Sequence, residues 1–311
     1  AGTKNWREEL VEFIDSTELN SVVIDIKDYT GRISFELDDS YINELGSVEK
    51  RIPDINDFIK ILHQKNIYVI GRISVFQDPY FVKKNPKVAV KKKDGSVWKD
   101  YKGLTWVDPA AREFWLYIVL VAKASEKMGF DELNFDYIRF PSDGNMKNIA
   151  YDHWDEKTPR AEVIKEFFSY LRRELGGLGV PLSADLFGMT TTNADDLNIG
   201  QILEYAAPYF DYIAPMVYPS HYPSGFINLK NPAAHPYEVV HYSMKAAVEK
   251  LLKASSTPSK LRPWLQDFDL GADYNAEMVR KQMQAVYNAG LTSWMMWDAG
   301  NKYTRDAYLQ E

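Results

Sequence analysis

The chain has 311 residues, 45% of them hydrophobic and 26% charged, which is enough for a large core and within the size range of one α/β barrel. Its 37 basic residues against 44 acidic ones leave a net charge of −7, which argues against nucleic acid or an anionic membrane as partner, since both are held by clustered Lys and Arg. The absence of cysteine excludes disulfides, thiolate catalysis and cysteine-ligated zinc, and no apolar run of about 18 residues suggests membrane insertion.

The first segment reads as a helix: Trp6, Leu10, Phe13 and Ile14 recur at helical spacing, and Asn5 with Glu8 has the spacing of a capping pair. SVVIDI at 21–26 is a short β-branched run that predicts a buried strand, 53–65 is helical, and NIYVIGRISV at 66–75 is the next strand. A helix over 110–128 then precedes a strand at 132–138, and a helix over 159–175 precedes one at 181–188. Residues 196–207 are predicted helical, followed by a strand at 211–218, a helix over 237–254 and a strand at 261–268. The last pair is a helix over 275–289, stopped by Gly290, and a strand at 292–297.

Strand and helix taking turns throughout is the mark of a parallel α/β fold. We read residues 1–311 as one α/β barrel domain, a (β/α)8 TIM barrel of which seven strands are visible and a first strand is expected before Ala1. A doubly wound open sheet is the alternative. Two excursions, at about 76–109 and 139–158, follow strands and would decorate the catalytic face of a barrel. Asp94-Gly95 in the first is a hairpin signal, and the neighbouring Lys91–Lys93 run reads as a solvated turn flank.

Alternate strand residues share a face. Glu132, Asn134 and Asp136 fall together, opposite Leu133, Phe135 and Tyr137. The same phase groups Asp25 with Lys27, Arg72 with Ser74, Ser183 with Asp185, and Trp264 with Gln266, each set near the carboxyl end of its strand. Charged groups gather in a barrel interior only with partners or a ligand, so these strand tips are the candidate site. The abundant aromatics, 8 Trp, 20 Tyr and 15 Phe, offer flat faces for sugar rings. His153, His235 and His241 lack metal-ligand spacing; no metal site and no cofactor are expected.

The segment GFDELNFDYIRFPSDG at 129–144 closely resembles the fourth-strand motif of a family of glycosyl hydrolase domains found in bacterial extracellular proteins. VVIDIKDYTG (22–31), IGRISVFQDP (70–79), WVDPAAREF (106–114), PMVYPSHY (215–222) and RPWLQDF (262–268) resemble that family's other blocks in order. The likeness implies the fold, a polysaccharide or oligosaccharide partner, and an extracellular or cell-envelope location with any signal peptide lying outside the chain. More distantly, the fourth strand resembles the chitinase-type motif, as Met216-Val217-Tyr218 and Trp297 resemble its later strands. Asn134 and Ile138 stand where that motif has its middle acid and its catalytic Glu, which argues against substrate-assisted chemistry. In the amylase-like and galactosidase-like barrels the corresponding Asp is the nucleophile, and Asp136 takes that place.

Glycoside hydrolysis uses two carboxyl groups, one ionised and one protonated. Asp136 is the expected nucleophile or stabiliser, with Arg139, Arg72 or Lys27 beside it favouring the carboxylate. Asp185, on the next strand, is the first candidate for the acid, with a lean towards retention; Asp298, Asp267 and Asp108 are rivals. Asp25, Lys27, Arg72, Trp106, Asp108, Asn134, Arg139, Tyr218, His221, Trp264, Gln266, Trp297 and Asp298 are the candidate substrate-binding residues. A non-catalytic carbohydrate-binding barrel of the wall or spore is the alternative function. A metal-dependent deacetylase or lyase on the same barrel is a third, opposed by the lack of a His/Asp ligand cluster.

Overall fold

The computed structural model describes residues 2–310. Its contacts divide the chain into two compact units. The first runs to Asp15 and adds Asn20–Ala184 and Asn198–Gln201; the second takes Ser16–Leu19, Asp185–Leu197 and the chain from Ile202 on.

In the first unit the order is α1 (Lys4–Asp15), β1 (Ser21–Lys27), α2 (Ser40–Leu45), α3 (Ile55–Gln64) and β2 (Tyr68–Ser74). Then come α4 (Pro79–Lys84), α5 (Arg112–Glu126), β3 (Glu132–Asp136), α6 (Arg160–Leu175) and β4 (Leu182–Phe187), whose last residues pass into the second unit. The four strands are parallel neighbours in chain order. Their register places Asp25 beside Arg72, Arg72 beside Asn134, and Asn134 beside Ser183, one polar row across four strands. Above that row Ser74 lies beside Asp136. Gly71 keeps β2 close to its packing layer: a Cβ there would come within 2.4 Å of Ile26 Cδ1 and 2.9 Å of a Phe130 ring carbon.

The second unit adds α7 (Leu203–Ala206), β5 (Tyr212–Met216), α8 (Pro236–Lys253), β6 (Trp264–Gln266), α9 (Ala276–Asn288) and β7 (Met295–Trp297). Strands β5, β6 and β7 pair in parallel, with Met216 beside Trp264 and Gln266 beside Trp297. Strand and helix thus alternate through both units, as the hydrophobic periodicity predicts. Among the described residues, no helix is long and apolar enough to cross a membrane.

Several local expectations are corrected. Helix α1 starts at Lys4, so Asn5 lies inside it and does not cap it. The helix expected over 196–207 is one turn, Leu203–Ala206, because Leu197, Asn198 and Gly200 stand at φ of 55°, 57° and 83°, a left-handed run that no α-helix accommodates. Two short helices escape the periodicity argument and are defined by their caps. Asp39 accepts the Ile42 N–H at α2, and Asp78 accepts the Phe81 N–H at α4, whose first residue is Pro79.

The two excursions meet each other. Lys91 and Lys92 pair antiparallel with Ala150 and Ile149. The Trp98 indole donates to Asn145 O, and Asp94-Gly95 turns the hairpin with Gly95 at φ 83°. Asp108, fully buried, accepts the N–H groups of Ala110, His153 and Trp154 at 2.8–3.1 Å and so ties both excursions together.

Candidate active site

Asp136 is the last residue of β3 and is 5% exposed. Its Oδ2 accepts two N–H groups from Arg72, from Nε at 3.1 Å and Nη2 at 2.6 Å. Its Oδ1 accepts the N–H of Tyr137 at 2.6 Å. Tyr137 sits at φ 53°, a conformation that costs a non-glycine residue roughly 1–3 kcal/mol and is kept only where the surroundings impose it. Here the turn aims a backbone donor back at the carboxylate. The Asp136 carbonyl meanwhile holds Val75 N–H, and the Tyr137 carbonyl holds Phe76 N–H, extending the β2–β3 pairing past the strand ends.

Arg72 also reaches Asp25 Oδ1 through Nη1 at 3.3 Å. One guanidinium therefore joins two carboxylates. Side-chain exposure differs sharply among the three: 8% for Asp136, 16% for Arg72 and 45% for Asp25. Close packing around the Asp25 carboxyl raises its pKa by desolvation, against the opposing pull of Arg72, and the Asp136 charge adds to the rise.

Lys27 is not part of this group. The register between β1 and β2 shifts between Asp25 and Lys27, placing Lys27 beside Ile73 and breaking the alternation that grouped it with Asp25. Its ammonium is wholly enclosed, 2.8 Å from Asp78 Oδ2 and bonded to Ser74 O. Gly31, at φ 81°, makes room for that pair: a Cβ there would lie 1.8 Å from Asp78 Oδ1. The cation expected beside Asp136 is Arg72 alone of this pair.

Below the carboxylates runs a second buried polar chain. Asn134 Nδ2 donates to Ser183 Oγ at 3.0 Å, Ser183 Oγ donates to Glu132 Oε1, and Tyr68 OH donates to Glu132 Oε2. Glu132, Asn134 and Ser183 are fully buried, so this layer braces the strands from inside. On the loop after β3, the Arg139 guanidinium lies 4.7 Å from the Trp106 ring centre and 5.6 Å from that of Tyr137, and it donates to Phe140 O and Ser142 Oγ. Burial lowers the Arg139 pKa. Trp106, only 1% exposed, donates its indole N–H to Asp100. Burial likewise raises the Asp108 pKa, with its three backbone bonds opposing the rise.

In the second unit, Asp185 is 1% exposed and accepts the Trp264 indole N–H at 2.8 Å; Trp264 in turn meets Trp297 edge-on at 5.8 Å. Gln266 is buried, and its Oε1 accepts both the N–H and the hydroxyl of Ser220. His221 follows, its ring in edge contact with Tyr218 and Phe268. Asp298 Oδ1 accepts the Lys302 N–H of its own turn. Asp267 is held by Thr304 and the Tyr308 hydroxyl, which anchors the end of the chain. Burial raises the Asp267 pKa first, and those bonds oppose it.

Tyr137, Ser220 and Gln282, whose side chain bonds the Gln266 N–H and carbonyl, carry parts of these arrangements that strand alternation does not mark. Tyr137 acts through a backbone N–H, Ser220 lies in a turn, and Gln282 is on helix α9, where a buried glutamine resembles any polar helix residue.

A carboxylate fixed by arginine at the carboxyl end of a parallel strand, on a strand–helix alternation, defines an α/β protein of the TIM-barrel class with a strand-end acidic site. The chain belongs to the family described as "Putative glycosyl hydrolase domain", whose model matches residues 1–303. No functionally curated protein matches it. Among solved structures, a hypothetical protein from Ruminiclostridium thermocellum is 36% identical, with 59% of this chain and 92% of that one covered and a TM-score of 0.54. The glycoside hydrolase domain of PgaB (BpsB) from Bordetella bronchiseptica is 14% identical over 98% of this chain and 92% of that one, with a TM-score of 0.69. Alpha-L-fucosidase isoenzyme 2 from Paenibacillus thiaminolyticus is 11% identical over 97% of this chain and 45% of that one, at 0.63. At such identities the last two show the fold alone.

Proposed function

We propose that the chain hydrolyses O-glycosidic bonds in a polysaccharide, with Asp136 as the ionised carboxylate that attacks or stabilises the oxocarbenium centre. The observation that carries this reading is the way Asp136 is held. Arg72 occupies Oδ2 with two N–H groups, whereas Oδ1 takes a single backbone N–H and keeps a lone pair for a sugar carbon. Family membership and the fold of the glycoside hydrolase neighbours support it.

Two carboxyls contend for the proton donor, and they imply different stereochemistry. Asp185, the acid expected from the sequence, would go with the retaining outcome. Asp25 is two strands from β3 and suits the about 6.5–9.5 Å separation of inverting enzymes. Its exposure and its raised pKa favour Asp25; the Trp264 bond and the burial of Asp185 weigh against the alternative.

The test is incubation with cell-wall and matrix polysaccharides, with products followed by NMR from the first turnover. Release of a new reducing end supports hydrolysis, and its initial anomer separates inversion through Asp25 from retention through Asp185. An aryl glycoside with a good leaving group should still be cleaved by the variant lacking the true acid. Binding without any cleavage after long incubation would replace this reading with a carbohydrate-binding barrel.

A further inference from the structure

We infer that Ser220 and Gln266 fix His221 as an imidazole whose Nδ1 carries the proton and whose Nε2 faces solvent as a bare acceptor, selecting a sugar group that donates a hydrogen bond over an anionic one. The sugar as ligand rests on the proposed function; the tautomer does not.

The inference follows from counting donors. Gln266 Nε2 donates to Phe268 O at 2.8 Å, so the amide orientation is set and Oε1 points the other way. That Oε1 is 3.2 Å from Ser220 N and 2.9 Å from Ser220 Oγ. The backbone N–H can only donate, and turning the amide over would set two donors against each other. Ser220 Oγ has one proton, and it goes to Gln266 Oε1. The contact of 3.0 Å between Ser220 Oγ and His221 Nδ1 must then be an N–H donated by the ring. With Nδ1 protonated in the neutral ring, Nε2 holds a lone pair. Among the described residues, no group reaches Nε2, and His221 is exposed at the turn after β5.

The relay is rigid at its base. Gln266 is fully buried, and its backbone is gripped from α9 by Gln282, which accepts the Gln266 N–H at 2.9 Å and donates to the Gln266 O at 2.7 Å. Surroundings favour the uncharged ring. Desolvation lowers the His221 pKa, and among the described residues the one titratable side chain in ring contact is the Tyr218 phenol, with Phe268 as the other ring neighbour. Tyr218, itself buried, backs Phe268 edge-on at 5.7 Å, so the acceptor lies beside one half-buried aromatic ring, that of Phe268. A carboxylate brought to a bare lone pair meets repulsion, whereas a hydroxyl donates to it.

The decisive measurement is long-range 1H–15N correlation on the full chain labelled at histidine, with His221 assigned by loss of its signals in His221→Asn. At neutral pH the wild type should show a protonated Nδ1 and a bare Nε2. Ser220→Thr, which keeps the hydroxyl, should preserve that pattern, and Ser220→Ala should turn it into a mixture of tautomers. A wild type with its proton on Nε2, or a Ser220→Ala protein with an unchanged pattern, would overturn the relay. Added cellotetraose should shift Nε2 at pH 7 more than tetragalacturonate, in which a carboxylate replaces one hydroxymethyl group on each ring. An equal or larger shift from the anionic sugar, or no shift from either, would overturn the acceptor's selectivity while leaving the tautomer and Asp136-dependent cleavage to stand or fall on their own measurements.

Discussion

Lys27–Asp78 and Arg72–Asp136 are both aspartate–cation pairs beside β1 and β2, yet their surroundings separate them. The first is enclosed on every side, with neither side chain exposed; Asp78 also caps α4, and Gly31 lacks the side chain that would collide with it. The second ends in a guanidinium shared with Asp25, whose side chain is 45% exposed. A sealed pair can only hold structure together, since no ligand reaches it. A pair that opens through one member onto solvent can trade a protein partner for a substrate. The contrast shows that charge near a strand end does not by itself mark a site; access does.

Three substitutions test that division, the largest first. Asp136→Asn keeps the shape and removes the charge. Turnover on the polysaccharide should fall by about a hundred- to a thousandfold or more, while the thermal midpoint read by circular dichroism stays nearly where it was. Full activity in that variant would remove Asp136 from the mechanism. Asp78→Asn should do the reverse. It strands the enclosed Lys27 ammonium, and breaking such a pair typically costs about 3–5 kcal/mol, read as a lowered urea midpoint. A loss below about 1 kcal/mol would mean that the pair is dispensable. Arg72→Lys keeps the cation but not the fork, so it should cost catalysis about ten- to a hundredfold through the lost charged hydrogen bonds. An unchanged rate would show that Asp136 needs charge nearby and not orientation.

Much of this is legible in the amino-acid sequence. Strand–helix alternation and the polar phase of ELNFD read directly from spacing, because successive strand residues face opposite sides of the sheet even where both sides are buried. The limits came where local geometry departs from alternation. One register shift sent Lys27 away from Asp25, and nothing in IDIKD announces an irregular step. The left-handed turn at Tyr137 is equally silent, since tyrosine is not a residue that favours it. The division between Asp25 as open carboxyl and Asp185 as buried partner of Trp264 depends on exposure, which a sequence does not encode locally.

Asp25 gives the smallest effect and the most direct reading of the open pair. Its folded pKa is raised, chiefly by desolvation, so the folded protein holds this proton more tightly than the unfolded chain does. The stabilising contribution is therefore complete below the unfolded carboxyl value of about 3.9 and is lost as pH rises through the raised folded value. Asp25→Asn removes that titration. Urea denaturation at steps from pH 3.5 upward should show a wild type that loses stability over this window relative to the variant, with the two curves parallel at higher pH. Salt should change only the part of the difference that comes from neighbouring charges such as Arg72 and Asp136, since desolvation, the larger cause, is not screened. If the curves are parallel throughout, the Asp25 proton is bound no more tightly in the folded protein, and the case for Asp25 as the acid over Asp185 loses its electrostatic support.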